Sequence, residues 1–173
     1  PMDPRSSTLP VPDYRQALDQ ADDSPRIGII RDFFFANSVP EVQSHTEEKV
    51  QLLAKAGATI EEVSLPASFA TALDVQDIII NVEIAAFHEE LFRSRAADYG
   101  PQLSETIQVG SLISAINYVQ AQRLRRAYRR EMESITQGWD VLLTPTIHMA
   151  APEDLTTTGN PWFQSPWTSC GLP

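Results

Sequence analysis

Arg26-Ile27-Gly28-Ile29-Ile30-Arg31, Ser38-Val39-Pro40-Glu41 and Gly57-Ala58-Thr59-Ile60-Glu61-Glu62-Val63-Ser64-Leu65-Pro66 together decide the fold. The first run is short, apolar and β-branched, which favours a buried strand over a helix. Ser38 ahead of Val39-Pro40-Glu41 reads as a helix start, with proline in the first turn and an acid behind it. Val42, Thr46, Val50, Leu53 and Ala54 then fall on one helical stripe, and Gly57 after Ala56 is a stop signal. Thr59 to Leu65 reads as a second strand, ended by Pro66. Strand, helix and strand in close succession form a βαβ unit whose two strands are most simply parallel.

Working downstream, residues 74–94 predict a helix. Ile78, Ile79, Ile80, Val82, Ile84, Ala85, Ala86, Phe87 and Leu91 make it apolar on nearly every face, so it is expected to be buried or covered. Gly100-Pro101 breaks it. Residues 102–109 predict a short helix closed by Gly110. A long helix follows from about Ser114 to Gln137, with Ala121, Leu124, Tyr128, Met132 and Ile135 as its apolar stripe. Residues 139–143 enter a third strand, stopped by Thr144-Pro145. Beyond it lie Pro152, Gly159, Pro161, Pro166, Gly171 and Pro173, the mark of a long functional loop or of an unfinished structure. Upstream, residues 1–25 hold five prolines and read as an irregular lead-in, with one helical turn from Tyr14 to Leu18.

Composition bounds the function. The chain has 173 residues, 42% hydrophobic and 21% charged, with 13 Lys+Arg against 23 Asp+Glu and a formal charge of −10. That is ordinary globular composition, long enough for a core. So acidic a chain is a poor duplex binder, because phosphate neutralisation needs clustered cations. The single cysteine, Cys170, forms no internal disulfide and no multi-cysteine zinc site. No apolar run approaches the roughly 20 residues of a membrane helix. The start, Pro1-Met2-Asp3-Pro4, has no basic region followed by an apolar stretch. The expectation is a soluble, cytoplasmic protein.

Few constellations carry chemistry. His88-Glu89-Glu90-Leu91-Phe92 falls short of His-Glu-x-x-His, since Phe92 stands where the second ligand belongs. His45, His88 and His148 lie on three different elements. Glu83, among Ile79, Ile80, Ala86 and Phe87, is expected to be a buried, hydrogen-bonded carboxylate; a tuned acid or base is the functional alternative. Arg123, Arg125, Arg126, Arg129 and Arg130 read as a solvated helix face rather than an anion or RNA contact. There is no Gly-x-Ser-x-Gly elbow and no glycine-rich phosphate loop. Ser6-Ser7 lacks flanking glycines, and the only lysines are Lys49 and Lys55, on one amphipathic helix. The residues alone describe a βαβ-type α/β piece with no complete active site.

Six segments in order carry a resemblance. They are Val11-Pro12-Asp13-Tyr14 with Arg26-Ile27-Gly28-Ile29; Gly57 to Val63 with Leu65-Pro66; Glu83-Ile84-Ala85-Ala86-Phe87-His88; Tyr118 with Ala121-Gln122-Arg123; Asp140-Val141-Leu142-Leu143-Thr144-Pro145-Thr146; and Gly159-Asn160-Pro161 with Pro166-Trp167-Thr168 and Gly171-Leu172-Pro173. From about Pro10 to Pro173 the chain resembles the C-terminal half of the amidase signature family. These are serine amidases and include the amidase subunit of the glutamyl-tRNA amidotransferases. Thr168 departs from the asparagine common in the closing motif, and His148 stands where proline is common.

The resemblance implies a partial amidase-signature α/β fold: a βαβ unit with mixed sheet strands covered by helices. Residues 26–173 would form the truncated amidase piece, ending in mid-motif, after the lead-in of 1–25. The implied parent hydrolyses a carboxamide C–N bond through a Ser–cisSer–Lys acyl-enzyme. The alternatives are the amidase subunit of a tRNA-dependent amidotransferase, or a non-catalytic module that kept this half of the fold. The family's nucleophile, bridging serine and base lysine precede the matched segment, so no catalytic residue is carried over and the chain alone is expected to be inactive. A substrate-facing wall is expected from Thr144, Pro145, Thr146, Ile147 and His148 with Trp162, Phe163 and Trp167, since an aromatic-rich loop at the end of a buried strand suits an apolar acyl group. For His148 a surface loop histidine is the preferred reading, and a substrate-facing one the functional alternative. No metal or cofactor is implied. The expected partner is a small-molecule amide, with no direct nucleic-acid or membrane contact. A homodimer or association through an exposed sheet edge is also expected.

Overall fold

The computed structural model describes residues 7, 9–20, 24–153 and 159–172; part of the 1–25 lead-in, residues 154–158 of the expected loop and the terminal Pro173 lie outside them. Helix α1, Tyr14–Asp19, is capped by Asp13, whose Oδ1 accepts from the backbone N–H of Arg15 at 3.0 Å and Gln16 at 3.1 Å. Three strands follow: β1 at Arg26–Ile29, β2 at Thr59–Glu62 and β3 at Val141–Leu143. They pair in the order β2-β1-β3, and both pairings are parallel, with Gly28 opposite Glu61 on one side and Leu142 on the other. The expected mixture of strand directions is not found among these three strands. Each return to the sheet runs through helices, so each strand re-enters from the same end.

The βαβ unit is realised. Helix α2 spans Asp32–Ala36 and α3 spans Pro40–Lys55, with Gly57 beyond it at φ 107°. Ser38, however, is not the cap of α3. Pro40 holds the preceding Val39 extended, at φ −66° and ψ 154°, and makes it the boundary residue. The Ser38 hydroxyl donates instead to the Phe34 carbonyl at 2.8 Å, closing α2. Being central, β1 is buried: Ile27 and Ile29, with Ile30 just after, leave the surface. β2 is an edge and carries Glu61 and Glu62, which blunt it against further pairing.

Helices α4 (Ala72–Arg95), α5 (Pro101–Leu112) and α6 (Ala115–Thr136) form the cover. Ser114 caps α6 through its Oγ, which accepts from Asn117 N at 3.2 Å. Val75 and Ile79 of α4 pack on Ala121 of α6. Tyr128 and Met132 of α6 meet Ala72 and Cys170. Three expectations change here. Gly110 does not close α5 but lies buried inside it, because it faces the α4 backbone at Asn81. Glu83 is exposed, and α4 turns Ile80, Phe87 and Leu91 outward as well; its second apolar stripe has no covering element among the described residues. Leu124 also faces out, at 47% exposure, because α6 rests on α4 through Ala121 and Tyr118.

The principal core sits at the carboxyl ends of the strands. Ile30, Phe34, Val63 and Phe163 are buried together, with Phe33, Trp139, Leu142 and Trp167 against them. Phe34 meets Phe163 edge-on at 5.1 Å and stacks on Trp167 at 5.9 Å. Phe163 closes a 3-10 turn, Pro161–Phe163, and Trp167 belongs to helix α7, Ser165–Cys170. The C-terminal segment is thereby folded back onto the β1–α2 corner.

Candidate functional site

The parallel sheet sends the chain out of β1, β2 and β3 at one edge, and the candidate site lies there. Pro145 cannot donate to the ladder and ends β3; it is buried, whereas Thr146 is exposed and Thr144, Ile147 and His148 are half-buried. The His148 carbonyl accepts from Val39 N at 2.9 Å, fastening this loop to the start of α3. The His148 ring meets Phe163 edge-on with centroids 6.0 Å apart.

The opposing wall comes from residues 159–163. Asn160 Oδ1 accepts from Trp162 N at 2.9 Å and starts the 3-10 turn. Gly159 has φ 88°, a conformation open to glycine, and a Cβ built there would stand 3.7 Å from Ile147 Cδ1. The Gln164 side-chain amide crosses between the walls and donates to the Thr146 carbonyl.

Between the walls is an open depression of about 550 Å³ lined by His148, Met149, Pro152, Gly159, Asn160 and Pro161. Of the expected substrate-facing residues, His148 lines it. Trp162 stands beside it, 51% exposed. Pro145 is buried, and Phe163 and Trp167 pack in the principal core, Phe163 at 2% exposure. Met149, Pro152, Asn160 and Pro161 were not expected in the lining. Gly159-Asn160-Pro161 is visible in sequence as a turn signal, but its position against His148 depends on the docking of α7.

The remaining chemical candidates sit elsewhere. His88 Nδ1 lies 3.0 Å from Tyr99 Oη, a side-chain pair at the junction of α4 and α5. Among the described residues no three His, Cys, Asp or Glu side chains are grouped to hold a metal ion. Lys49 and Lys55 both ride on α3, Lys49 beside Glu48 at 3.5 Å. Of the arginine cluster, Arg125 Nε donates to the Ser169 carbonyl at 2.8 Å and ties α6 to α7, while Arg129 pairs with Glu133 at 2.7 Å on the outer face. Burial pushes the Cys170 thiol up, which suits packing rather than nucleophilic attack. The Tyr128 phenol is pushed up too, by burial and then by Cys170. No described helix is long and apolar enough to cross a membrane.

A family model described as Amidase matches residues 1–167. The chain is 32% identical over 151 residues to an "Amidase" of Pseudomonas putida, covering 87% of this chain and 32% of that relative. It is 30% identical over 174 residues to a glutamyl-tRNA(Gln) amidotransferase subunit of Roseiflexus sp. (strain RS-1), covering 87% of this chain and 36% of that protein. Among solved structures it is similar to one described as "Crystal structure of amidase", at TM-score 0.77 and 25% identity, covering 88% of this chain and 38% of the other. The chain thus spans about a third of the length of the curated relatives it matches.

Proposed function

The chain belongs to the Amidase family, and from that premise we propose that it forms part of an enzyme that hydrolyses the C–N bond of a carboxamide. A serine hydroxyl supplied outside this chain attacks the carbonyl carbon, the C–N bond breaks with release of the amine or ammonia, and water hydrolyses the acyl-enzyme. A lysine, acting through a second serine in a cis peptide bond, serves as base, as the resemblance implies. This chain supplies the wall that receives the substrate. The reading uses no metal or cofactor and places the enzyme in the cytoplasm.

The observation that carries the reading is the depression at the carboxyl edge of a parallel sheet, the edge at which α/β folds bind their ligands. Met149, Pro152 and Pro161 give it an apolar lining, and His148 and Asn160 bring polar groups to the same space. That combination suits an amide with an apolar acyl or aryl part. Thr144, Thr146, Ile147 and Trp162 extend the wall around it, and Pro145, Phe163 and Trp167 hold it from behind.

A second reading is an amidotransferase component whose ammonia is passed to a tRNA-bound substrate. It is favoured by the 30% identity to the Roseiflexus amidotransferase subunit. The formal charge of −10 neither favours nor excludes this reading, because RNA contacts can lie on a partner.

The test is ammonia release by the full gene product that contains this chain, against aliphatic and aryl amides and glutamine. Turnover of an aryl or alkyl amide supports the first reading. Turnover of glutamine alone supports the second, and no turnover of any amide removes both. The 173-residue chain by itself is expected to release none.

A further inference from the structure

We propose that Gln164 is a positioning residue that fixes the spacing of the two walls of the depression beside β3 and so sets which amides fit it. The proposal rests on the amidase reading above.

Gln164 projects from a fixed point. Its N–H donates to the Pro161 carbonyl at 3.0 Å, and its own carbonyl accepts from Thr168 N at 3.1 Å. It therefore ends the 3-10 turn and starts α7, a helix anchored by buried Pro166, Ser169 and Cys170. The acceptor is equally fixed. Thr146 follows buried Pro145 and precedes His148 by two residues, where the His148 carbonyl accepts from Val39 N at 2.9 Å. Two independently anchored segments are thus joined by a directional bond, from Gln164 Nε2 to the Thr146 carbonyl.

Two apolar contacts stand beside it. The His148 ring lies edge-on to Phe163 at 6.0 Å, and Ile147 lies over Gly159. Such contacts permit sliding, whereas an amide-to-carbonyl bond selects distance and angle. Gln164 and Thr146 are both exposed, so their bond lies outside the core and its loss leaves the fold in place. What it governs is the width between His148 and Met149 on one side and Asn160 and Pro161 on the other. An amide that fills the depression needs that width; a small one does not.

The experiment uses the full gene product with Gln164→Met and Gln164→Glu, which keep the side chain's length and remove the donor. Gln164→Lys restores a donor. KM and kcat are measured separately for acetamide, butyramide, benzamide and a biphenyl carboxamide. Loss of the donor should raise KM about tenfold for the largest amides. It should leave the smallest within about twofold and kcat within about threefold, with an unchanged melting temperature and partial recovery in Gln164→Lys. Equal losses for all sizes, or a lowered melting temperature that accounts for them, would mean a structural role only and overturn the proposal. So would a KM profile identical to wild type. Hydrogen exchange at the amides of residues 146–149 gives a readout independent of turnover. Faster exchange in Gln164→Met supports the strut, and unchanged exchange overturns it. Absence of any amide turnover in the wild type sinks the amidase reading while leaving the exchange result to decide the role of Gln164.

Discussion

Arg31 grips Glu47 with two arms of its guanidinium: Nε donates to Oε1 at 2.7 Å and Nη2 to Oε2 at 3.1 Å, while Nη1 reaches Glu62 Oε2 at 3.2 Å. The fork ties the end of β1 to α3 and to the last residue of β2. It thus braces the loops that leave the carboxyl edge of the sheet.

Removing that fork should cost measurable stability. Both side chains are partly exposed, at 29% and 39%, so the loss in Glu47→Gln is expected at about 1 kcal/mol rather than the several of a buried pair. The hydrogen bond from Arg31 holds the Glu47 carboxyl below its ordinary value of 4.5. A depressed folded value means the stabilisation is complete above the ordinary carboxylate range and disappears as pH falls through the lowered value. Urea melts should therefore separate wild type from Glu47→Gln at pH 7 and bring them together near pH 2. A gap that persists at acid pH would show that packing, not the ion pair, is responsible.

Gly110 sets the distance between α4 and α5. A Cβ there would meet the Asn81 carbonyl oxygen at 2.0 Å and its carbon at 2.6 Å, both backbone atoms that cannot rotate away. Gly110→Ala should therefore push the helices apart and cost about 3 kcal/mol. Gly100, whose Cβ would meet nothing within 4 Å, is the control. Gly100→Ala should shift a thermal melt far less, and equal shifts for the two would refute the close-approach argument.

The local elements were legible where one residue's chemistry decides the backbone. Pro40 and Gly57 bracket α3, and the β-branched run at Ile27–Ile30 predicts the central strand that β1 proves to be. Legibility failed where the answer depends on a distant neighbour. Gly110 reads as a stop in sequence, yet its role comes from Asn81 on another helix. Ser38 looks like a cap until the extended backbone that Pro40 imposes on Val39 is considered. The depression was half visible: His148 stands out in the sequence, but Asn160 and Pro161 reach it only because Phe163 and Trp167 dock on Phe34. Aromatic residues near a strand end look like a binding wall because periodicity cannot separate a wall from the packing behind it.

Glu83 tests the same point energetically. Its apolar sequence neighbours imply a cost of about 1–3 kcal/mol for removal. In the structure Glu83 is exposed and accepts only a long bond, 3.4 Å, from Tyr118 Oη. Tyr118 also accepts from Gln122 Nε2 at 2.9 Å, so it is not orphaned by the change. Glu83→Ala should then alter stability of this chain by less than about 0.5 kcal/mol. A larger loss in denaturant melts would return Glu83 to the buried class.

The isolated chain should associate. Large apolar side chains stand in water: Phe87 is 82%, Leu112 86% and Ile116 74% exposed. The sheet also ends in two edges. β2 presents Glu61 and Glu62, which disfavour pairing, but β3 presents Val141, 53% exposed, with no charge in its three residues. β3 is therefore the edge expected to pair. Light scattering on the purified 173-residue chain should give a mass that rises with concentration, and Val141→Lys should reduce it. If Val141→Lys has no effect while Phe87→Glu lowers the mass, the helical face rather than the edge drives association. A monomer at every concentration, unfolding cooperatively and binding no apolar dye, would show that these surfaces are stable in water without a partner.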